Sequence, residues 1–250
     1  MLLNLISYIT SGDQTLMIYG LVTLLLRLPA VLLALSIHEA AHGWMAYKLG
    51  DPTARNLGRI TINPFKHLNP IGAISMLLFG IGWANPVPIH SRYFKKPKRD
   101  MALTAVAGPV SNLLQALSAL LLLFVGTRLY FGQFPGPIGS FELSMGYFSM
   151  ILNGSTVERL LGILFYLLWI YATLNIVLAI FNLIPIPPFD GSRLAFLFLP
   201  DKIYFGLMKY ERITMFVFLF LFYFLGDLFG TVFEFFIDLA VKIFSFILMI

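Results

Sequence analysis

Three stretches of this chain, residues 16–46, 101–126 and 160–184, are apolar for longer than the roughly 20 residues a helix needs to cross about 30 Å of hydrocarbon. A fourth, residues 213–250, is longer still and is interrupted by "GDLFG". In lipid every main-chain N–H and C=O must be satisfied within the protein, so such stretches become helices. Only 12% of the residues are charged, about half the share of a soluble domain. The expected fold is therefore an all-α polytopic membrane protein with about five to six transmembrane helices. One membrane-embedded unit is expected over residues 1–250, with a core over about 16–198 and C-terminal helices over 203–250. Cysteine is absent, which excludes a disulfide framework and thiol catalysis. The opening "MLLNLISYITSGDQTL" has no basic start and meets a polar patch early, so no cleavable signal peptide is expected.

Charge placement orients the chain. Residues 71–83 are apolar but number only about 13 and contain Gly72, Gly80 and Gly82, too few to span. Basic residues flank them on both sides: Lys48, Arg55, Arg59 and Lys66 before, Arg92, Lys95, Lys96, Lys98 and Arg99 after. A full crossing would put two basic loops on opposite faces, against the positive-inside rule. The segment is therefore expected to be re-entrant, or a small β-hairpin, near the cytoplasmic face. Arg193, Lys202, Lys209 and Arg212 fall on that same face, and residues 127–158 fall outside. The expected location is the cell membrane, multi-pass, with the polar motifs near the cytoplasmic side.

The first span ends in "SIHEAAHGW". On a helix, His38 and His42 share a face, so both imidazoles can hold one metal. Glu39 is turned about 100° from His38 and can reach an activated water without being a ligand. Imidazole pairs suit Zn²⁺, and a catalytic zinc site takes three protein ligands and keeps one open position. Glu39 would act as general base on the water and then as proton donor to the leaving amine. Ionisable groups in a span are costly unless paired or wet, which sets this motif apart from a chance match on a surface helix. The third ligand is expected to be Asp190 in "NLIPIPPFDGSRL", where Pro185, Pro187 and Pro188 end the helix in an extended run. An unwound stretch at membrane depth must line a polar pocket. Taken alone, the Asp-Gly pair reads rather as an ordinary interfacial turn; beside the histidine motif in a membrane chain, the ligand role is favoured.

"HEAAH" followed far downstream by "NLIPIPPFDG" closely resembles the two motifs of the site-2 protease family of intramembrane zinc metalloproteases. The resemblance covers about residues 16–198, and "GWANPVPI" and "AGPVSN" are similar to segments of its bacterial members. It implies one zinc per chain held by His38, His42 and Asp190, with Glu39 as general base. It further implies hydrolysis of peptide bonds in or next to transmembrane segments. Asn182 matches the family asparagine that polarises the scissile carbonyl; an amide bridging its own helix end is the equal alternative. Some members carry a PDZ or cystathionine-synthase-type regulatory domain, and the polar insertions here are too short for either.

The expected partners are a transmembrane protein substrate and the lipid bilayer, with no nucleic acid; oligomeric state is not legible. Two rival readings are a zinc-stabilised scaffold without turnover and a metal transporter. A transporter should carry polar residues across the whole membrane, whereas the polar groups here gather near one face. Of the remaining features, Ala105 and Gly108 in "AVAGPVSN" read as helix-packing residues, and Asn112 needs a polar partner. His67 and His90 read as structural. "NPVPI", residues 85–89, reads either as an edge to which an extended substrate adds, with Val87 to Ile89 the favoured part, or as a Pro-rich loop. Lys242 stands at ion-pair spacing from Asp238.

Overall fold

The computed structural model describes residues 6, 8–10, 12–70, 72, 84–132, 140–208, 210, 213–214, 217, 220–221 and 224–249. Three long helices form its centre: α1 (Gln14–Lys48), α3 (Pro97–Phe131) and α5 (Thr156–Asn182), with the single-turn α2 (Thr53–Asn56) following α1. All three long helices are long and apolar enough to cross a membrane. Their starts are set by local chemistry. The Asp13 carboxylate accepts from the Thr15 and Leu16 N–H groups at 2.8 and 3.2 Å. Ser155 and Glu158 close a capping box at α5. Asp100, buried in the first turn of α3, accepts from the Lys96 N–H at 3.0 Å and from Arg99. Both α1 and α3 run on through an internal proline, Pro29 and Pro109. α3 stops at Gly132, whose φ of 72° is the left-handed conformation glycine takes without penalty.

Between helices in lipid the driving force is close packing rather than water exclusion, so small residues belong at the seams. Ala30, Ala34, Ala105, Ala116, Ala119, Ala172 and Ala179 are all buried. Leu120, Leu123, Phe124, Phe165, Tyr166 and Trp169 fill the space they leave. Leu113, Leu114, Leu117, Leu121 and Leu122 face outward and give α3 an apolar exterior. Residues 127–158, read from sequence only as an outer segment, contain a helix, α4 (Ser140–Asn153). It buries Leu143, Tyr147 and Phe148. It lies so close to α5 that a Cβ at Gly162 would stand 3.0 Å from the Tyr147 carbonyl oxygen.

After α5 the chain makes turns and bends through residues 183–190 instead of the extended run expected, then forms α6 (Gly191–Ala195) and α7 (Asp201–Met208). A last helix, α8 (Gly226–Met249), begins at the "GDLFG" break. It returns to the core through the buried Val241 and through Phe233, whose ring lies 6.3 Å from that of Phe181. α8 carries Asp227, Glu234, Asp238 and Lys242 along its 24 residues. The described residues thus account for three of the five to six crossings expected. The proposed re-entrant run lies, apart from Gly72, outside the described residues. Its flanks meet: Leu68 and Ala84 form an antiparallel bridge, and the Asn85 N–H donates to the His67 carbonyl at 2.7 Å. That bridge is isolated, and no strand is present among the described residues.

Candidate metal centre

His38 and His42 lie on α1 roughly three turns and two turns before its end, on the face turned towards α3. Both are buried, at 5% and 7% exposure. Asp190 arrives from the other end of the sequence. The His38 Nε2 to Asp190 Oδ2 distance is 3.3 Å, His42 Nε2 to Asp190 Oδ2 is 3.2 Å, and the two Nε2 atoms are 3.0 Å apart. Among the described residues these three form the group of side chains close enough together to hold a metal ion.

The triangle fits a zinc ion. Ligand atoms about 2.0–2.1 Å from a tetrahedral zinc stand about 3.3 Å from one another. The protonation pattern fits as well. His42 Nδ1 is 2.8 Å from the Thr104 main-chain oxygen, which only accepts, so Nδ1 carries a proton, and the neutral ring then turns the Nε2 lone pair inward. Asp190 Oδ2 is buried without a hydrogen-bond partner. A lone pair and a carboxylate oxygen at this range repel unless a cation lies between them.

Two glycines shape the surroundings of the triangle. Gly108 of α3 faces the two imidazoles: a Cβ there would stand 2.4 Å from His42 Nε2 and 2.5 Å from His38 Cε1. Sequence reasoning took Gly108 for a helix-packing residue; its absent side chain is also the space in which the histidines meet. Gly191 serves Asp190 in a similar way. A Cβ at Gly191 would lie 2.2 Å from the Leu183 carbonyl oxygen, backbone that has nowhere to go. The Asp-Gly pair is therefore the point where the loop folds back onto the end of α5. Phe189 secures it by packing edge-on against Phe181, with centroids 4.6 Å apart. Ser192 Oγ donates to the Phe189 carbonyl at 2.7 Å.

Glu39 does not join the triangle. Its Oε2 accepts the Val87 N–H at 2.9 Å. Val87 is buried, and its side chain packs where α1 offers only Gly43. The segment around it is tied at both ends: Arg59 donates to the Asn85 carbonyl at 2.7 Å, and Asp51 Oδ2 accepts the His90 N–H at 2.6 Å. "NPVPI" is therefore a strapped loop, and the Val87 N–H favoured as a partner for substrate is already engaged. Asn182 donates to the Leu178 carbonyl at 3.0 Å, the helix-bridging bond of the alternative reading. His67 and His90 stand apart from the cluster; His67 Nε2 bonds the Thr61 carbonyl oxygen at 2.9 Å.

Two groups at the site were not singled out in the sequence, and a third was given another role. The Thr104 carbonyl is main chain and carries no side-chain signal. Val87 was noted only as a possible edge. Asn175 was passed over inside an apolar span, although a lone amide there needs a partner for the same reason as Asn112.

The matches to known proteins agree with this geometry. The family model described as Peptidase family M50 matches residues 27–225. The chain is 37% identical over 198 residues to "Putative zinc metalloprotease YwhC" of Bacillus subtilis (strain 168), covering 77% of both chains. It is 26% identical over 166 residues to "Putative zinc metalloprotease Rip2" of Mycobacterium tuberculosis (strain H37Rv), covering 64% of this chain and 52% of that one. No solved structure matches it.

Proposed function

The chain belongs to peptidase family M50, the site-2 protease family, and from that premise we propose that it is a zinc-dependent endopeptidase cutting membrane proteins in or next to their transmembrane segments. The observation that carries the reading is the triangle of two buried imidazoles and one carboxylate at 3.0–3.3 Å, beside a glutamate that is not part of it. His38, His42 and Asp190 hold one zinc per chain. Zinc, when bound there, supplies Lewis-acid activation of water and of the scissile carbonyl.

The remaining chemistry belongs to side chains. Glu39 is held through Oε2 by the Val87 N–H, which leaves Oε1 to take a proton from the attacking water. The same carboxyl then delivers that proton to the leaving amine. Asn182 uses one N–H on Leu178, and its second N–H is the donor for the developing oxyanion. A substrate helix hides its carbonyls in i to i−4 bonds and must unwind locally before any of this occurs. Unpaired main-chain groups in lipid cost several kcal/mol each, so helix-breaking Gly or Pro near the cut promotes cleavage.

The test uses the purified chain with a model transmembrane substrate. Wild type is expected to cleave and to carry about one zinc, the complement of a three-ligand catalytic site. Glu39→Gln is expected to keep the zinc and lose cleavage by about 10²-fold or more. His38→Ala, His42→Ala and Asp190→Ala are expected to lose the metal. Undiminished cleavage by Glu39→Gln removes the base from the scheme. Zinc binding with no turnover by wild type favours the scaffold.

A further inference from the structure

We propose that Asn112 and Asn175 are positioning residues for the metal centre, forming an amide relay, anchored on a main-chain carbonyl of α5, that fixes His38 in the tautomer able to bind metal. The proposal rests on the zinc reading above. It follows from the direction of three hydrogen bonds. The Tyr171 carbonyl can only accept, and Asn175 Nδ2 donates to it at 2.9 Å. This turns Asn175 Oδ1 towards α3, where it meets the Asn112 amide at 2.7 Å. An oxygen in that position requires a donor, so Asn112 presents Nδ2. The other end of the same amide, Oδ1, then faces His38 Nδ1. Nδ1 must carry the proton, and Nε2 is left with a lone pair directed at Asp190 Oδ2.

The orientation of a ligand on α1 is thus decided on α5, two side chains away. Both asparagines are fully buried, so water cannot substitute for either partner. Reversing one amide would set oxygen against oxygen, or N–H against N–H, between two buried groups. His42 needs no such relay because the Thr104 carbonyl meets it directly. Two amides in the middle of apolar spans are costly in lipid, and this task accounts for both.

The competing role is that of a simple interhelical tether. Zinc affinity of the full purified chain in detergent, measured by competition with a chromophoric chelator, separates the two. Asn112→Leu keeps the shape but removes the acceptor at His38, and its affinity is expected to fall about 10–100-fold. Asn112→Asp keeps an acceptor for His38 Nδ1–H, although its second oxygen then faces Asn175 Oδ1, and it is expected to bind zinc more tightly than Asn112→Leu, as in carboxylate–histidine–zinc sites. A tether would be broken equally in both. Asn175→Leu leaves the Asn112 amide unaligned and is expected to weaken zinc binding also; it decides the matter if Asn112→Leu does not fold. Wild-type affinity in a folded leucine variant overturns the proposal, as does equal loss in Asn112→Asp and Asn112→Leu. Failure of wild type itself to bind zinc instead overturns the metal reading beneath it.

Discussion

A methyl group at position 108 would stand 2.4 Å from His42 Nε2, whose ring is held from behind by the Thr104 carbonyl. The ring cannot retreat without giving up that bond, and α3 cannot retreat without opening the seam at Ala105 and Ala116. Overpacking of this kind costs about 1–3 kcal/mol, so Gly108→Ala is expected to weaken zinc binding by about tenfold or more while the helices still assemble. Zinc content after dialysis against a weak chelator, beside a thermal melt, checks both parts. Unchanged zinc retention would mean that the imidazoles have slack. Spacing alone put His38 and His42 together, because a helix converts i and i+4 into a shared face. It could not distinguish a glycine that lets helices touch from one that leaves room for ligands, since both are small residues on an apolar helix.

At the scale of the element, the loop over residues 84–90 ties Glu39 to the turn that follows α1. Its Val87 N–H holds Glu39, and its His90 N–H is held by Asp51. Val87→Pro removes the donor, and hydrogen bonds to charged groups contribute about 1.5–3 kcal/mol, so kcat is expected to fall about tenfold or more with zinc retained. Val87→Ala keeps the N–H and is the control; equal loss in both would assign the effect to packing. Asp51 yields a pH prediction. Burial alone would raise its pKa, but donation from the His90 N–H and from Thr53 outweighs burial and holds the carboxyl below its ordinary value. A lowered folded-state pKa contributes stability that is complete above the unfolded value of about 3.9 and is lost as pH falls through the folded one. Asp51→Asn is therefore expected to lower the melting temperature at neutral pH, with the gap to wild type closing on acidification below the ordinary aspartate range. A gap independent of pH would show that charge is not what Asp51 contributes.

For the whole molecule, the placement of basic residues predicts which way it sits in the membrane. Basic loops flank the short run 71–83 on both sides, and the chain is expected to expose Lys66 and Lys96 on the same, cytoplasmic, face. Their flanks are already close: the bridge between Leu68 and Ala84 brings the two ends of that run together. Labelling introduced cysteines at positions 66 and 96 with an impermeant reagent in sealed vesicles tests this directly. Labelling from opposite faces would mean that the run crosses the membrane and that the orientation proposed here is wrong.

Apolar length alone determined that this chain is a helical membrane protein, because lipid leaves main-chain groups no partner outside the helix. The i, i+4 rule alone determined that His38 and His42 form a pair. The prolines alone determined that α5 ends before Asp190. Helix α4 was not legible, because its 14 residues fall short of a span and its burial depends on Gly162 of a different helix. Nor did any local pattern say that Asp190 would come within 3.3 Å of His38, or that Asn175 would direct Asn112. Those contacts join residues 152 and 63 positions apart, by the numbering of each pair. Sequence periodicity reports which face of a helix is apolar, but only the packing of α1, α3 and α5 decides which polar groups on those faces meet.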